Sequence, residues 1–339
     1  MKAALLVRPG EIVVDDIPEP EVGPGDVRIA VGGVGLCGSD LSVFSGAWAA
    51  PSYPWVMGHE AFGTVVDVGA AVDRARIGQT VVIEPNIACL ACPQCRRGVT
   101  SACIARQSVG MNRPGALAER LVIPDRFAWP ISGVGSGDLV CVEPTAVVTA
   151  ALRRLGAPLP PTVLVVGVGA QGLLMSLVLL ERGRNVHVHD PNAARVALAA
   201  RLGASVTPPD DDEPRFGLVV DTVGSPASMT VSLARVEVGG TVLLLGLDSR
   251  PLEFTAQTLV RRQAVLRGSL TYDHPADFDA AVRHVAGGGF RPGQIVTESY
   301  PLDGAQTAFD RSPSASGKTW IRVAADPKRL DRRGARPVS

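Results

Sequence analysis

The chain has 339 residues with 33 basic and 33 acidic side chains, so its formal net charge is zero and no field draws it to nucleic acid or to a membrane surface. Hydrophobic residues make up 46 % against 19 % charged, which excludes disorder over most of the length. At roughly 150 residues per domain the length predicts about two domains. The longest apolar stretch, 162–180, is interrupted by Gly167, Gly169, Gln171 and Gly172 and does not make a membrane span. Met1 to Pro9 carries no export signal, so a soluble, cytoplasmic α/β protein is expected.

Along the chain, 2–8, 11–16, 26–34, 61–68 and 80–84 read as short strands separated by Gly/Pro turns. Strand-like pieces follow at 117–123 and 126–130. Many short strands without intervening helices predict a largely antiparallel, barrel-like domain. From about residue 145 the character changes. A helical apolar run (146–155) precedes a flat Val/Leu strand (162–167), then helix 173–181, strand 185–189, helix 193–202 and strands 218–221 and 241–246. This alternation predicts a parallel, doubly wound sheet. Strands at 294–301 and 319–323 predict a return to the first domain, and 326–339 reads as a frayed tail.

Gly167-Val168-Gly169-Ala170-Gln171-Gly172 fits G-x-G-x-x-G directly between a strand and a helix. Gly167 permits the tight turn, Gly169 lets the backbone approach a pyrophosphate, and Gly172 lets helix and strand pack closely. The pyrophosphate would sit on the N–H groups at the helix start. Asp190, 18 residues after Gly172, would accept from a ribose diol and repel a 2′-phosphate, favouring NAD over NADP. The plainer reading is a Gly-rich connection followed by an Asp-Pro helix opener; strand, loop, helix and acid in register favour the dinucleotide.

Four of the six cysteines (Cys89, Cys92, Cys95 and Cys103) fall within fifteen residues. Without an export signal, that clustering points to thiolate ligands rather than disulfides. Four thiolates close a tetrahedral zinc site of structural kind, although iron–sulfur clusters also use close cysteines. Cys37-Gly38-Ser39-Asp40 and Gly58-His59-Glu60 offer a thiolate, an imidazole and a carboxylate, the donor types of an open catalytic zinc. Glu143 is a further carboxylate near the domain junction. Taken singly, Cys37, His59 and Glu60 read as a buried thiol, a core histidine and a surface acid.

These motifs resemble the zinc-dependent medium-chain alcohol dehydrogenases, in their sorbitol/threonine dehydrogenase-like branch. The resemblance runs from Met1 to about Val323 on Cys37 to Asp40, Gly58-His59-Glu60 with Gly63, Val65 and Gly69, the four-cysteine lobe, Glu143-Pro144, the glycine loop and Ser316-Gly317-Lys318. It implies a GroES-like β-barrel catalytic domain (1–148, with a structural zinc lobe at 85–105), a Rossmann NAD-binding domain (149–285), a return (286–325) and a cleft holding zinc and nicotinamide. It implies two zinc ions per subunit, one catalytic and one structural. Cys37, His59 and Glu143 match catalytic zinc ligands, with Glu60 beside the metal and able to exchange with water or Glu143. Ser39 matches the hydroxyl that takes the substrate proton, and Asp40 the acid that orients His59. Ala170, Gln171 and Arg195 complete the cofactor-binding set with the three glycines and Asp190.

Three departures stand out. Ser42 occupies a position where many relatives have a relay histidine. Gln79 stands where the family usually has an acid. Only 14 residues separate Ala204 from Val219, including the acidic turn 210–213, so one helix looks trimmed. Within the branch, Leu41-Ser42, Gly46-x-Trp48 and Tyr53-Pro54 resemble dehydrogenases of aminoglycoside biosynthesis, which act on 2-deoxy-scyllo-inosamine or a related amino sugar.

The activity implied is oxidation of a secondary alcohol to a ketone on a polyol, aminocyclitol or amino sugar, in aminoglycoside-type antibiotic biosynthesis. Zinc would act as Lewis acid and NAD as hydride acceptor, in a homodimer or homotetramer with neither nucleic-acid nor membrane partners. The alternatives are a sorbitol- or threonine-type dehydrogenase of primary metabolism and a non-catalytic zinc- and nucleotide-binding protein.

Overall fold

The computed structural model describes residues 1–156, 158–207 and 215–323; the expected acidic turn at 210–213 and the tail at 326–339 lie outside them. The described residues divide into two compact units, Met1–Glu143 with the described residues from Val282 onward, and Pro144–Ala281.

In the first unit, strands β1 (Lys2–Arg8), β2 (Glu11–Asp16) and β3 (Asp26–Gly35) precede helix α1 (Gly38–Phe44). Then come β4 (Trp55–Val56), β5 (Glu60–Val68), β6 (Thr80–Ile83) and β7 (Asn86–Ile87). The cysteine lobe carries α2 (Pro93–Arg96), and β8 (Gln107–Ser108), β9 (Arg120–Pro124), β10 (Ala128–Pro130) and α3 (Ser136–Leu139) follow.

The second unit takes in most of α4 (Val142–Leu155) and alternates β11 (Thr162–Val166), α5 (Ala170–Glu181), β12 (Asn185–His189), α6 (Ala193–Arg201), β13 (Ser205–Val206) and β14 (Phe216–Asp221). It continues through α7 (Pro226–Arg235), β15 (Val236–Leu244), α8 (Ala256–Arg262), β16 (Val265–Gly268) and into α9 (Ala276–Ala286). The chain then supplies β17 (Val296–Pro301), α10 (Ala305–Arg311) and β18 (Lys318–Arg322) to the first unit.

The first unit's main sheet has seven strands in the order β10-β6-β5-β3-β18-β17, with β9 also on β3. Its pairings are antiparallel except β17 with β18. Its core gathers Leu6, Ile29, Ile83, Leu117, Phe127 and Phe309. Two features of this packing place the functional residues. The β18–β3 register sets Trp320 opposite Gly35, which brings Lys318 to the end of β3 where Cys37 begins. The Phe44 ring at the end of α1 lies 5.0 Å from the Phe309 ring, a pair that adds about 0.5–1.5 kcal/mol to the area it buries and pins α1 to the core.

The second unit holds a six-stranded parallel sheet in the order β13-β12-β11-β14-β15-β16. β11 is central, and four of its five residues are buried, which is why it reads as an unbroken Val/Leu run. The strand order reverses direction between β11 and β14, the point at which such sheets take ligands beyond their carboxyl ends. The glycine loop lies at that point.

Candidate metal and dinucleotide sites

Cys89, Cys92, Cys95 and Cys103 bring their sulfurs to within 4.8 Å of one another. Cys92 and Cys95 are 3.5 Å apart, Cys89 and Cys95 4.0 Å. Zn–S bonds of about 2.3 Å in a tetrahedron put sulfurs about 3.8 Å apart, so the four residues fit zinc. The backbone N–H of Cys95 brings the Cys92 thiol down to about 6, while burial, reinforced by Cys92, pushes Cys95 up to about 12. Such a split is what neighbouring thiols show when one ionises first. The lobe has little apolar core of its own, only Ala88, Cys92 and Cys103 with Leu90 and Cys95 packed against them. The two-residue ladder of β7 and β8 closes its neck.

The second cluster joins Cys37, His59 and Glu60, whose ligand atoms also converge within 4.8 Å. Cys37 is the N-cap of α1, and His59 and Glu60 sit where the loop enters β5. Asp40, fully buried, ties the segments together. One carboxylate oxygen accepts from the Cys37 N–H (3.0 Å); the other meets the Gly58 N–H (3.1 Å) and His59 Nδ1 (3.2 Å). Gly58 has φ +91°, and a Cβ there would strike Val34 and Leu117, so only glycine makes this turn without strain. Burial alone would lower the His59 pKa; the Asp40 charge and the hydrogen bonds that the ring donates to Asp40 and Cys37 outweigh it and raise it well above the ordinary value. With Nδ1 on Asp40, Nε2 is left for a metal. Ser39 is half-buried in the first turn of the same helix.

Behind Glu60 lies a residue whose role sequence reasoning missed. Lys318 is fully buried. Its Nζ pairs with Glu60 Oε2 and donates to the Leu36 carbonyl at 3.2 Å. Burial works against its charge, but Glu60, Cys141 and Cys37 together raise its pKa. Gly35 makes the space, since a Cβ there would lie 2.6 Å from both Glu60 Oε2 and Lys318 Cε. A signal was present: lysine occurs three times in a chain that otherwise uses arginine as its cation. Cys141, also fully buried, has its thiol pushed up to about 12 by burial.

Glu143, expected among the ligands, is buried in the first turn of α4 and stands outside the converging trio. The carboxylate that the fold brings to Cys37 and His59 is Glu60, because β5 runs beside the end of β3. Of the departures, Ser42 donates to the Gly38 carbonyl at 3.0 Å within α1. Gln79 accepts from Arg76, whose charge is met by Asp125 at 2.7 Å.

In the second unit each glycine of the loop has its own task. Gly167 has φ +81°, and a Cβ on it would lie 2.2 Å from Val223. Gly169 would carry a Cβ into open space, and a Cβ on Gly172 would lie 1.9 Å from the Gly167 carbonyl. The open side at Gly169, the N-cap of α5, suits a bound dinucleotide phosphate. Asp190 accepts from the Val168 N–H and the Asn192 N–H, both at 2.8 Å. Arg195 lies in the first turn of α6, half-buried.

Known proteins agree with this arrangement. The alcohol dehydrogenase GroES-like domain family matches residues 23–133, and the zinc-binding dehydrogenase family residues 171–287. An L-threonine 3-dehydrogenase from Mesorhizobium japonicum is 31 % identical, covering 93 % of this chain and 96 % of its own. L-galactonate-5-dehydrogenase from Escherichia coli is 28 % identical, with 92 % and 95 % covered. The solved structure of a zinc-binding dehydrogenase from Sinorhizobium meliloti, bound to NADP, superposes with a TM-score of 0.86 at 27 % identity, over 95 % of this chain and 99 % of that one. The chain therefore belongs to the zinc-dependent medium-chain alcohol dehydrogenase family of the sorbitol and threonine type, as an NAD-dependent alcohol dehydrogenase.

Proposed function

We propose that the chain oxidises a secondary alcohol of a small polyhydroxylated substrate or hydroxy acid to the ketone, passing the hydride to NAD. The observation that carries this is the buried trio Cys37, His59 and Glu60, braced by Asp40 and Lys318. A nitrogen, a sulfur and an oxygen ligand leave a fourth zinc position for substrate. Bound there, zinc supplies Lewis-acid polarisation of the alcohol oxygen. Asp40 holds His59 in the tautomer that offers Nε2. Lys318 pairs with the Glu60 carboxylate and fixes its place beside Cys37 and His59, and Glu143 is the carboxylate with which Glu60 exchanges. Ser39 takes the substrate proton; Ser42, engaged with Gly38, does not extend that path. Asp190 presents a carboxylate to the adenosine ribose and disfavours a 2′-phosphate.

The sorbitol- or threonine-type alternative is better supported than the aminocyclitol one. L-threonine 3-dehydrogenase and L-galactonate-5-dehydrogenase act, by name, at secondary alcohols of small polar molecules. The aminoglycoside likeness rests on a short segment around Trp48 and Tyr53. Six free cysteines suit a reducing, cytoplasmic setting, and no helix among the described residues is long and apolar enough to cross a membrane. We further propose self-association along β16, which among the described residues pairs only with β15 at the sheet edge. Val260, Val265 and Leu270 are 73, 48 and 50 % exposed there, and an open edge with apolar flanks invites a second copy.

The test is NADH formation by the purified, zinc-loaded chain with L-threonine, simple polyols, sugar acids and an aminocyclitol. Turnover of members of the first three classes is expected. Turnover of the aminocyclitol alone reverses the substrate assignment, and no turnover despite NADH binding overturns the proposal.

A further inference from the structure

We propose that Thr222 is a positioning residue for the dinucleotide, fixing, together with Asp190, the peptide that joins Gly167 to Val168. The inference rests on NAD binding at the glycine loop and extends it to a residue beyond that motif. The N–H of this peptide donates to Asp190 Oδ2 at 2.8 Å. Its carbonyl, Gly167 O, accepts from Thr222 Oγ1 at 2.8 Å, with a longer contact from the same hydroxyl to the Val166 carbonyl at 3.4 Å. One clamp follows the end of β12 and the other the end of β14, the two strands that flank β11.

Glycine is the residue least able to hold its own backbone orientation, and Gly167 sits at φ +81°. Flipping the peptide would turn its carbonyl toward the Asp190 carboxylate, which repels it, and would break the bond that the Thr222 hydroxyl donates to Gly167 O, so the two hydrogen bonds together hold the present orientation. The Thr222 side is itself rigid. Asp221, fully buried, accepts from the N–H groups of Val223 (2.9 Å) and Gly224 (2.8 Å) and from Ser232 Oγ (3.0 Å). Asp190 thus acts on the loop as well as on the ribose, whereas the Thr222 hydroxyl bonds, among the described residues, to the Gly167 and Val166 carbonyls. Thr222 therefore controls how the loop's remaining N–H groups face a pyrophosphate without touching cofactor choice.

The experiment measures adenosine, ADP and NADH binding by fluorescence competition on the full chain and on Thr222→Val, Thr222→Ala and Thr222→Ser. Loss of one neutral hydrogen bond predicts about three- to tenfold weaker ADP and NADH binding in the Val and Ala variants. Adenosine, which lacks the pyrophosphate, should bind unchanged, and Ser should restore wild-type affinity. Amide exchange at residues 168–172 should quicken in the Val and Ala variants. Unchanged ADP and NADH affinity overturns the inference. So does equal weakening of adenosine, which marks a merely structural role, or a Ser variant as weak as Ala. A wild type that binds neither ADP nor NADH defeats the nucleotide site itself rather than Thr222.

Discussion

The two metal clusters are built on opposite plans. In the lobe four like ligands come from one stretch of fifteen residues, one of them exposed, over almost no core. In the other cluster three unlike ligands come from two segments, are largely buried, and are braced by Asp40 and by a lysine 258 residues away from Glu60 in sequence. With so little apolar packing, the lobe is the part that a bound metal would steady most; the trio is held by the fold and its own braces. A structural site is therefore written locally, and a reactive one is assembled by tertiary register.

The sharpest test of this contrast removes one ligand from each. Cys37→Ser should lower turnover at least about a thousandfold, the several kcal/mol a Lewis acid supplies, while the lobe keeps its zinc. Cys92→Ser should remove the lobe's zinc, leave 88–106 open to protease, and retain much of the turnover. Metal content, limited proteolysis and rate on the same preparations check both; matching losses would erase the distinction.

The brace behind Glu60 comes next. Lys318→Met should destabilise the protein by about 3–5 kcal/mol, because it strands a buried carboxylate. Adding Glu60→Gln should recover part of that loss, and urea unfolding of the two variants measures it. A smaller effect is expected at Asp40. Asp40→Asn should weaken zinc at the trio about 10- to 100-fold without moving the lobe's metal, which chelator competition reports. Smallest is cofactor choice: Asp190 should favour NAD over NADP by about tenfold in kcat/KM, or about 1.4 kcal/mol. Equal use of both by the wild type would remove Asp190 from that role.

How far the sequence was legible follows the same division. β1, β2 and β12 were readable to the residue, and the glycine loop stood out, because each is a local pattern. α1 was not read at all. It has seven residues and begins Gly-Ser, and what stabilises it is Asp40 bonding back to its N-cap and Phe44 packing on Phe309, a residue some 265 positions away. α7 was also passed over, although Ser225-Pro226 is a helix-opening signal and Ser225 caps the Ser228 N–H. Lys318 was noticed only as part of a motif; its partner emerges when β18 settles on β3. Glu143 shows the converse. Both carboxylates were expected beside the zinc; Glu60 converges with Cys37 and His59, while Glu143 is buried in the first turn of α4, a placement that only the packing of α4 reveals.

The neck of the cysteine lobe carries a consequence for protein engineering. Ile87 and Gln107 are partners in a two-residue ladder, and partners in antiparallel strands stand about 5 Å apart, a gap that a two-residue hairpin turn bridges. The segment between them is thus a cassette, inserted at one turn of an otherwise continuous hairpin. It can be excised or exchanged there while the strands on either side keep their register.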